Sequence, residues 1–211
     1  MMSDNTLVKD WKFITEKLPL NFANTMNWHA SAQPTEKLKS YSDLISWSWA
    51  IGLLDEKQAQ YLLKEAENHP SETSVVLEKA IELREIIYRI FSAVANKKDP
   101  AKLDLTHIKE ALIEALIHAK IVPTSNGFEW SWVGGKESFD CMLWPIAYSA
   151  VDILTSKDND RVGQCVDDRG CGWLFFDTSR NHSRRWCMME ECGNRAKAHR
   201  HYQKQSKNKI G

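Results

Sequence analysis

The stretch CVDDRGCGWLFFDTSRNHSRRWCMMEECGNRAKAHRHYQK, residues 165–204, decides how the last quarter of this chain folds. It holds Cys165, Cys171, Cys187 and Cys192, spaced C-x5-C-x15-C-x4-C. Two close cysteine pairs separated by a loop of this length suit a tetrahedral site of four thiolates. Zinc ranks first for such a donor set, with an iron–sulfur centre well behind it, and four unrelated buried thiols as the bland reading. A site with four protein ligands has no open position for catalysis. A module of about 40 residues is too small to be held by its own core, so metal binding would supply the missing stability. Trp173, Leu174, Phe175, Phe176 and Trp186 are expected to pack beside the metal.

A basic segment starts at the last cysteine. From Arg195 to the end there are six Lys and Arg and no acid. Gly193 is expected to allow a tight metal knuckle, and Asn194 to cap a helix running to about Lys207. On that helix Lys197, Arg200, His201 and Lys204 share one face, and Arg195 lies on the other. Arg180, Arg184 and Arg185 form a second basic cluster before Cys187. Held rigidly by a metal, such a helix suits the phosphates and base edges of DNA. Asn194 and Arg195 complete the predicted nucleic-acid set.

The charge of the whole chain supports this division. Net charge is zero, but residues 161–211 carry 11 Lys and Arg against 5 Asp and Glu, while the remainder carries 17 against 23. An acidic body and a basic tail point to a polyanionic partner for the tail.

The body reads as helical. Pro19 opens a first helix, Ser42 caps a run to Leu54, and Asp55 caps the next, which Pro70 closes. Apolar residues at Val76, Ala80, Leu83, Ile87, Ile90, Phe91 and Val94 make one stripe of a helix over 74–96. Another begins at Asp104, with Leu105, Ile108, Leu112, Ala115, Leu116 and Ala119 on one face. Phe128, Trp130 and Trp132 then alternate with polar residues after the turn signal Asn126-Gly127, predicting a hairpin with residues 120–122. Helix resumes over 137–155, with Pro145 in its first turn or at a kink. Residues 156–164 are expected to be a hinge. The fold class is mainly α: a helical N-terminal domain with a small β-hairpin over 18–156, then a four-cysteine zinc-finger module over 161–205 ending in a basic helix.

The finger residues closely resemble the CGNR zinc-finger family, whose tetrapeptide stands here as Cys192-Gly193-Asn194-Arg195. Its W-L-F-x-D-x-S-R-N and S-R-R-W-C elements match Trp173 to Asn181 and Ser183 to Cys187. Met188-Met189 departs from the family, where a serine commonly precedes the methionine. LNFANT at Leu20 to Thr25 and WPIAYSAVDIL at Trp144 to Leu154 resemble the opening and closing elements of the ABATE domain, a stress-induced transcription-regulator domain that accompanies this finger. The resemblance implies a DNA-binding transcriptional regulator holding one zinc ion through its four cysteines.

Alternatives stay open: an RNA-binding module, favoured if Trp173 and Trp186 are exposed for stacking, or an adaptor whose zinc only shapes a protein-docking surface. Seven of nine tryptophans lie in the body, as core or as the lining of an effector pocket. Asn24, Thr25 and Trp28 are the candidate ligand contacts there, although for the first two the favoured role is to cap and tie down the neighbouring helix. Cys141 reads as a buried core thiol. No catalytic motif emerges, so an enzyme is not expected. No apolar run approaches the ~20 residues of a membrane span, and no secretion signal is visible. The expected setting is cytoplasmic, with reduced thiols and a homodimer as the commonest regulator assembly.

Overall fold

The computed structural model describes residues 9–133, 138–199 and 202. Six helices form the body: α1 Leu18–Ala23, α2 Tyr41–Ala50, α3 Glu56–Asn68, α4 Pro70–Ala95, α5 Lys102–Ile117 and α6 Leu143–Thr155. Short strands β1 Met26–Asn27 and β2 Thr35–Glu36 pair antiparallel after α1. Strands β3 Ala119–Thr124 and β4 Gly127–Trp132 form the predicted hairpin, with Thr124 opposite Gly127 across the turn.

Local chemistry sets most helix ends. Asp55 caps α3 in a reciprocal box with Gln58, at 2.8 and 3.1 Å. The cap of α2 is Ser40, not Ser42. Asp43 returns the hydrogen bond from three residues on, which Ser42 lacks the partner to do. Pro70 opens α4 rather than closing α3, because its missing N–H costs nothing in a first turn. The same reason places Pro145 in the first turn of α6, which begins at Leu143, later than expected. The first helix ends at Ala23, after six residues, because the chain turns there into β1.

Helix α1 lies at the centre, with Pro19 to Ala23 all buried. It packs on α4, α6 and the finger. Phe22 meets Trp47 of α2 with ring centroids 5.1 Å apart. Arg84 of α4 is only 1% exposed and grips the Glu36 carboxylate through both terminal nitrogens, at 2.6 and 2.7 Å, which fastens β2 to α4. Cys141 is buried, and burial pushes its thiol up to about 12, as suits a core residue.

Residues 156–164 do not form the expected hinge. Asn159–Arg161 makes a 3-10 turn and Val162–Gln164 is strand β5, paired antiparallel with β6 Leu174–Phe176. Val162 is buried in the body core, so this polar-looking stretch is anchored by its one apolar residue. Strand β6 also divides the presumed finger core in two. Side chains alternate across a strand. Trp173 and Phe175 pack with the cysteines, joined by Trp186, whereas Leu174 and Phe176 pack with the body.

Candidate metal centre

Two knuckles bring the cysteines together. The first runs from Cys165, just past β5, to Cys171, just before β6. Its bend needs Gly170 and Gly172, with φ of +85° and +67°; a Cβ on Gly170 would also lie 2.7 Å from Ser31 backbone. The second knuckle carries Cys187 and Cys192, the latter within a π turn over Met189–Gly193. Gly193 has no left-handed backbone, and a Cβ there would displace only the flexible Met189 thioether. Helical backbone continues over 194–199 without a break. Asn194 therefore stands inside the helix rather than capping it, with φ −66° and ψ −38°, and donates to the Glu190 carbonyl at 3.2 Å.

All four Sγ atoms lie within 4.8 Å of one another and all four cysteines are buried. Cys187 Sγ is 3.7 Å from Cys171 Sγ and 3.5 Å from Cys192 Sγ. A tetrahedron with Zn–S bonds of ~2.3 Å has edges of about 3.8 Å. Hydrogen bonds from Cys171 and Cys187 hold Cys165 down to about 2, and the bond to Cys165 pushes Cys171 up to about 11. Cys187 is pushed up by the same neighbours, and Cys192 chiefly by burial. Four soft donors at this spacing cannot all ionise unless a cation sits among them; the set fits one zinc ion.

A layer of charged groups surrounds the sulfurs. Arg195 Nη2 donates to Cys192 Sγ at 2.9 Å and pairs with Asp167 at 3.1 Å. The Asp167 carboxylate is buried and also takes Arg169. Both guanidiniums stand over the Trp28 ring, at 5.0 and 5.3 Å. Arg184 donates to the carbonyls of Phe176, Trp186 and Cys187 and lies over the Phe175 ring. Asp177 accepts N–H bonds from Ser179 and Arg184. Burial opposes its ionisation, but those bonds win and hold the carboxyl below its usual 3.8. Sequence reading passed over Asp167 and Asp177; the Asp-x-Ser pattern at 177–179 was the available sign of a side-chain-closed turn.

The predicted nucleic-acid residues thus divide. Arg184 and Arg195 have their guanidiniums turned into the finger. Arg180, Arg185, Asn194 and Lys197 are exposed, with Arg185 lying over Trp186. Arg200, His201 and Lys204 lie outside the described residues, as does the end of the stretch to Lys207 over which a helix is expected.

The candidate ligand contacts divide too. Asn24 and Thr25 are at most 4% exposed and face protein. Asn24 bonds both backbone groups of Leu174, and the Thr25 hydroxyl donates to the Phe22 carbonyl. Both therefore serve the structural role. Trp28 borders a cleft of about 330 Å³ between body and finger, beside Lys37, Trp173 and Arg195. Further bonds cross that junction: Trp173 Nε1 to the Met26 carbonyl at 3.0 Å, His29 N to the Cys171 carbonyl at 3.1 Å, and Lys12 to Glu191 at 2.5 Å.

Among the described residues no helix is long and apolar enough to cross a membrane. A search of curated proteins finds no match to the chain. Residues 161–205 match the family model of the CGNR zinc finger. Residues 16–157 match the ABATE model, whose description is "Putative stress-induced transcription regulator". With its helical body and its zinc-fitting cysteine cluster, the chain belongs to the ABATE family and carries a CGNR zinc finger.

Proposed function

We propose that the protein is a transcription regulator that binds DNA through the exposed edge of its finger. One observation carries this reading: Arg180, Arg185 and Lys197 project from the finger, and among the described residues none of them has an ion-pair partner. Cations without counter-ions are what phosphate binding uses. The helix entered at Asn194 is held at its first turn by Cys192 and Arg195, so its exposed face has a set direction. Arg184 and Arg195 act from behind as positioning residues. The body is the regulatory part, in keeping with the family description, and the Trp28 cleft is the ligand site nearest the reading helix. Trp173 is 7% exposed and donates to Met26, so it offers no stacking face for single-stranded RNA.

The test is fluorescence anisotropy with zinc-loaded protein, on a mixed-sequence duplex and on single-stranded RNA of equal length, across a salt series. The duplex should bind more tightly. Arg180→Ala, Arg185→Ala and Lys197→Ala should each weaken binding and flatten the salt slope by up to about 0.9. Absence of duplex binding at low salt, or a slope untouched by the triple variant, would overturn the reading.

A further inference from the structure

Nine of the fifteen large hydrophobics that stand exposed among the described residues fall between Leu103 and Val133, in α5 and the hairpin that follows. Helix α5 explains the concentration. Its inner face buries Asp104, Ile108 and Ala115 against the body, where Arg89 holds Asp104. A second apolar stripe, Leu105, Leu112, Ile113, Leu116 and Ile117, recurs at steps of seven, eight, eleven and twelve residues. Such spacing returns to one side of a helix and is the spacing by which helices pack on one another. Ile113 is 53% and Ile117 75% exposed. In the hairpin that follows, Ile121 and Phe128 stand exposed on one face. Leu105, Ile113, Leu116 and Ile117 together leave open roughly 360 Å², within the ~300–600 Å² of the largest apolar patch on a typical monomer, which is often an interaction site.

The charges on α5 indicate what covers it. Lys102 and Lys109 precede its midpoint; Glu110 and Glu114 follow it. Asp104 and Glu114 are already paired, with Arg89 and Lys79. This order is the reverse of what a lone helix favours, since its N-terminal end attracts acids and its C-terminal end bases. An antiparallel neighbour of the same sequence corrects it. A two-fold axis at the midpoint sets Lys109 of each copy beside Glu110 of the other, brings Lys102 towards the opposing last turn, and opposes the two dipoles. A parallel neighbour would set like charge against like.

We propose that α5 is a homodimer interface, on which a second copy of this chain packs its own α5 antiparallel. The contact is isologous and leaves the finger's exposed edge outside it.

Sedimentation velocity of the zinc-loaded full chain tests this without reference to DNA. The wild type should be dimeric at about 10 µM, the weak end of the µM-to-pM range of specific interfaces. Ile113→Glu with Ile117→Glu should give a monomer with unchanged helical circular dichroism and zinc content. Because these two positions are exposed, folding should survive. Lys109→Glu alone and Glu110→Lys alone should each weaken the dimer, and the double exchange should restore it. A wild type that stays monomeric at ten times that concentration would overturn the proposal. So would a dimer indifferent to Ile113→Glu with Ile117→Glu, or a double exchange that fails to rescue.

Discussion

Asn24 and Leu174, 150 residues apart, hold each other through a closed pair of hydrogen bonds: Asn24 Nδ2 donates to the Leu174 carbonyl at 2.8 Å, and the Leu174 N–H donates to Asn24 Oδ1 at 2.9 Å. Leu174 is fully buried and belongs to the body core, while its chain neighbours Trp173 and Phe175 face the cysteines. One amide thus joins the end of α1 to the strand that carries the finger. Neither backbone group has water to turn to if the amide is lost.

Asn24→Leu should therefore destabilise the protein by roughly 2–5 kcal/mol, since a buried unsatisfied polar group costs about 1–3 kcal/mol. Urea denaturation gives the magnitude. Asn24→Asp, which buries a carboxylate against the Leu174 carbonyl, should cost at least as much. A loss below about 0.5 kcal/mol for the leucine variant would mean that water replaces the amide.

Elemental analysis should find one zinc per chain, and Cys187→Ser should lose it. Chelation should expose Trp173 and Trp186 to fluorescence quenchers. The helical circular dichroism should largely persist, because α1 to α6 share a core separate from the cysteine cluster. Loss of all helix on chelation would show that the body depends on the metal.

Arg195→Ala should lower zinc affinity about 10–100-fold, the usual effect of removing a group that orients a ligand. Asp167→Asn should act in the same direction by freeing Arg195. Competition with a chromogenic chelator reads both. An unchanged zinc affinity with weakened DNA binding would instead make Arg195 a direct DNA contact.

Asp43 ties the N-terminal segment to the α2 cap. Burial would raise its carboxyl, but the Lys9 ammonium at 2.7 Å and the N–H groups of Lys39 and Ser40 prevail and hold it below 3.8. A carboxyl lowered by folding contributes stability that is complete above its unfolded value and is lost as pH falls through the folded one. Asp43→Asn should thus destabilise at pH 7, and its difference from wild type should shrink below about pH 4. A difference constant with pH would assign the effect to packing.

Much of this was legible without coordinates. The four cysteines, the Asp55 cap, the hairpin turn at Asn126-Gly127 and the long stripe of α4 all appear where their patterns predict. Each depends on residues within a few positions of one another, and capping, turn chemistry and helical period act over that range. Near misses had local causes as well: Ser40 rather than Ser42 caps α2 because only Ser40 has Asp43 three residues on.

Larger corrections came from contacts across the chain. The hinge at 156–164 vanished because Val162 finds the body core. Arg184 and Arg195, basic residues in a basic segment, turned inward because backbone carbonyls and a cysteine sulfur needed donors. Asn24 found Leu174. By itself the sequence determined the zinc-fitting cysteine cluster and the helical elements, since spacing and period are local. Which polar groups serve the fold and which remain for a partner was decided only by the tertiary structure, because burial leaves distant donors and acceptors no partners but each other.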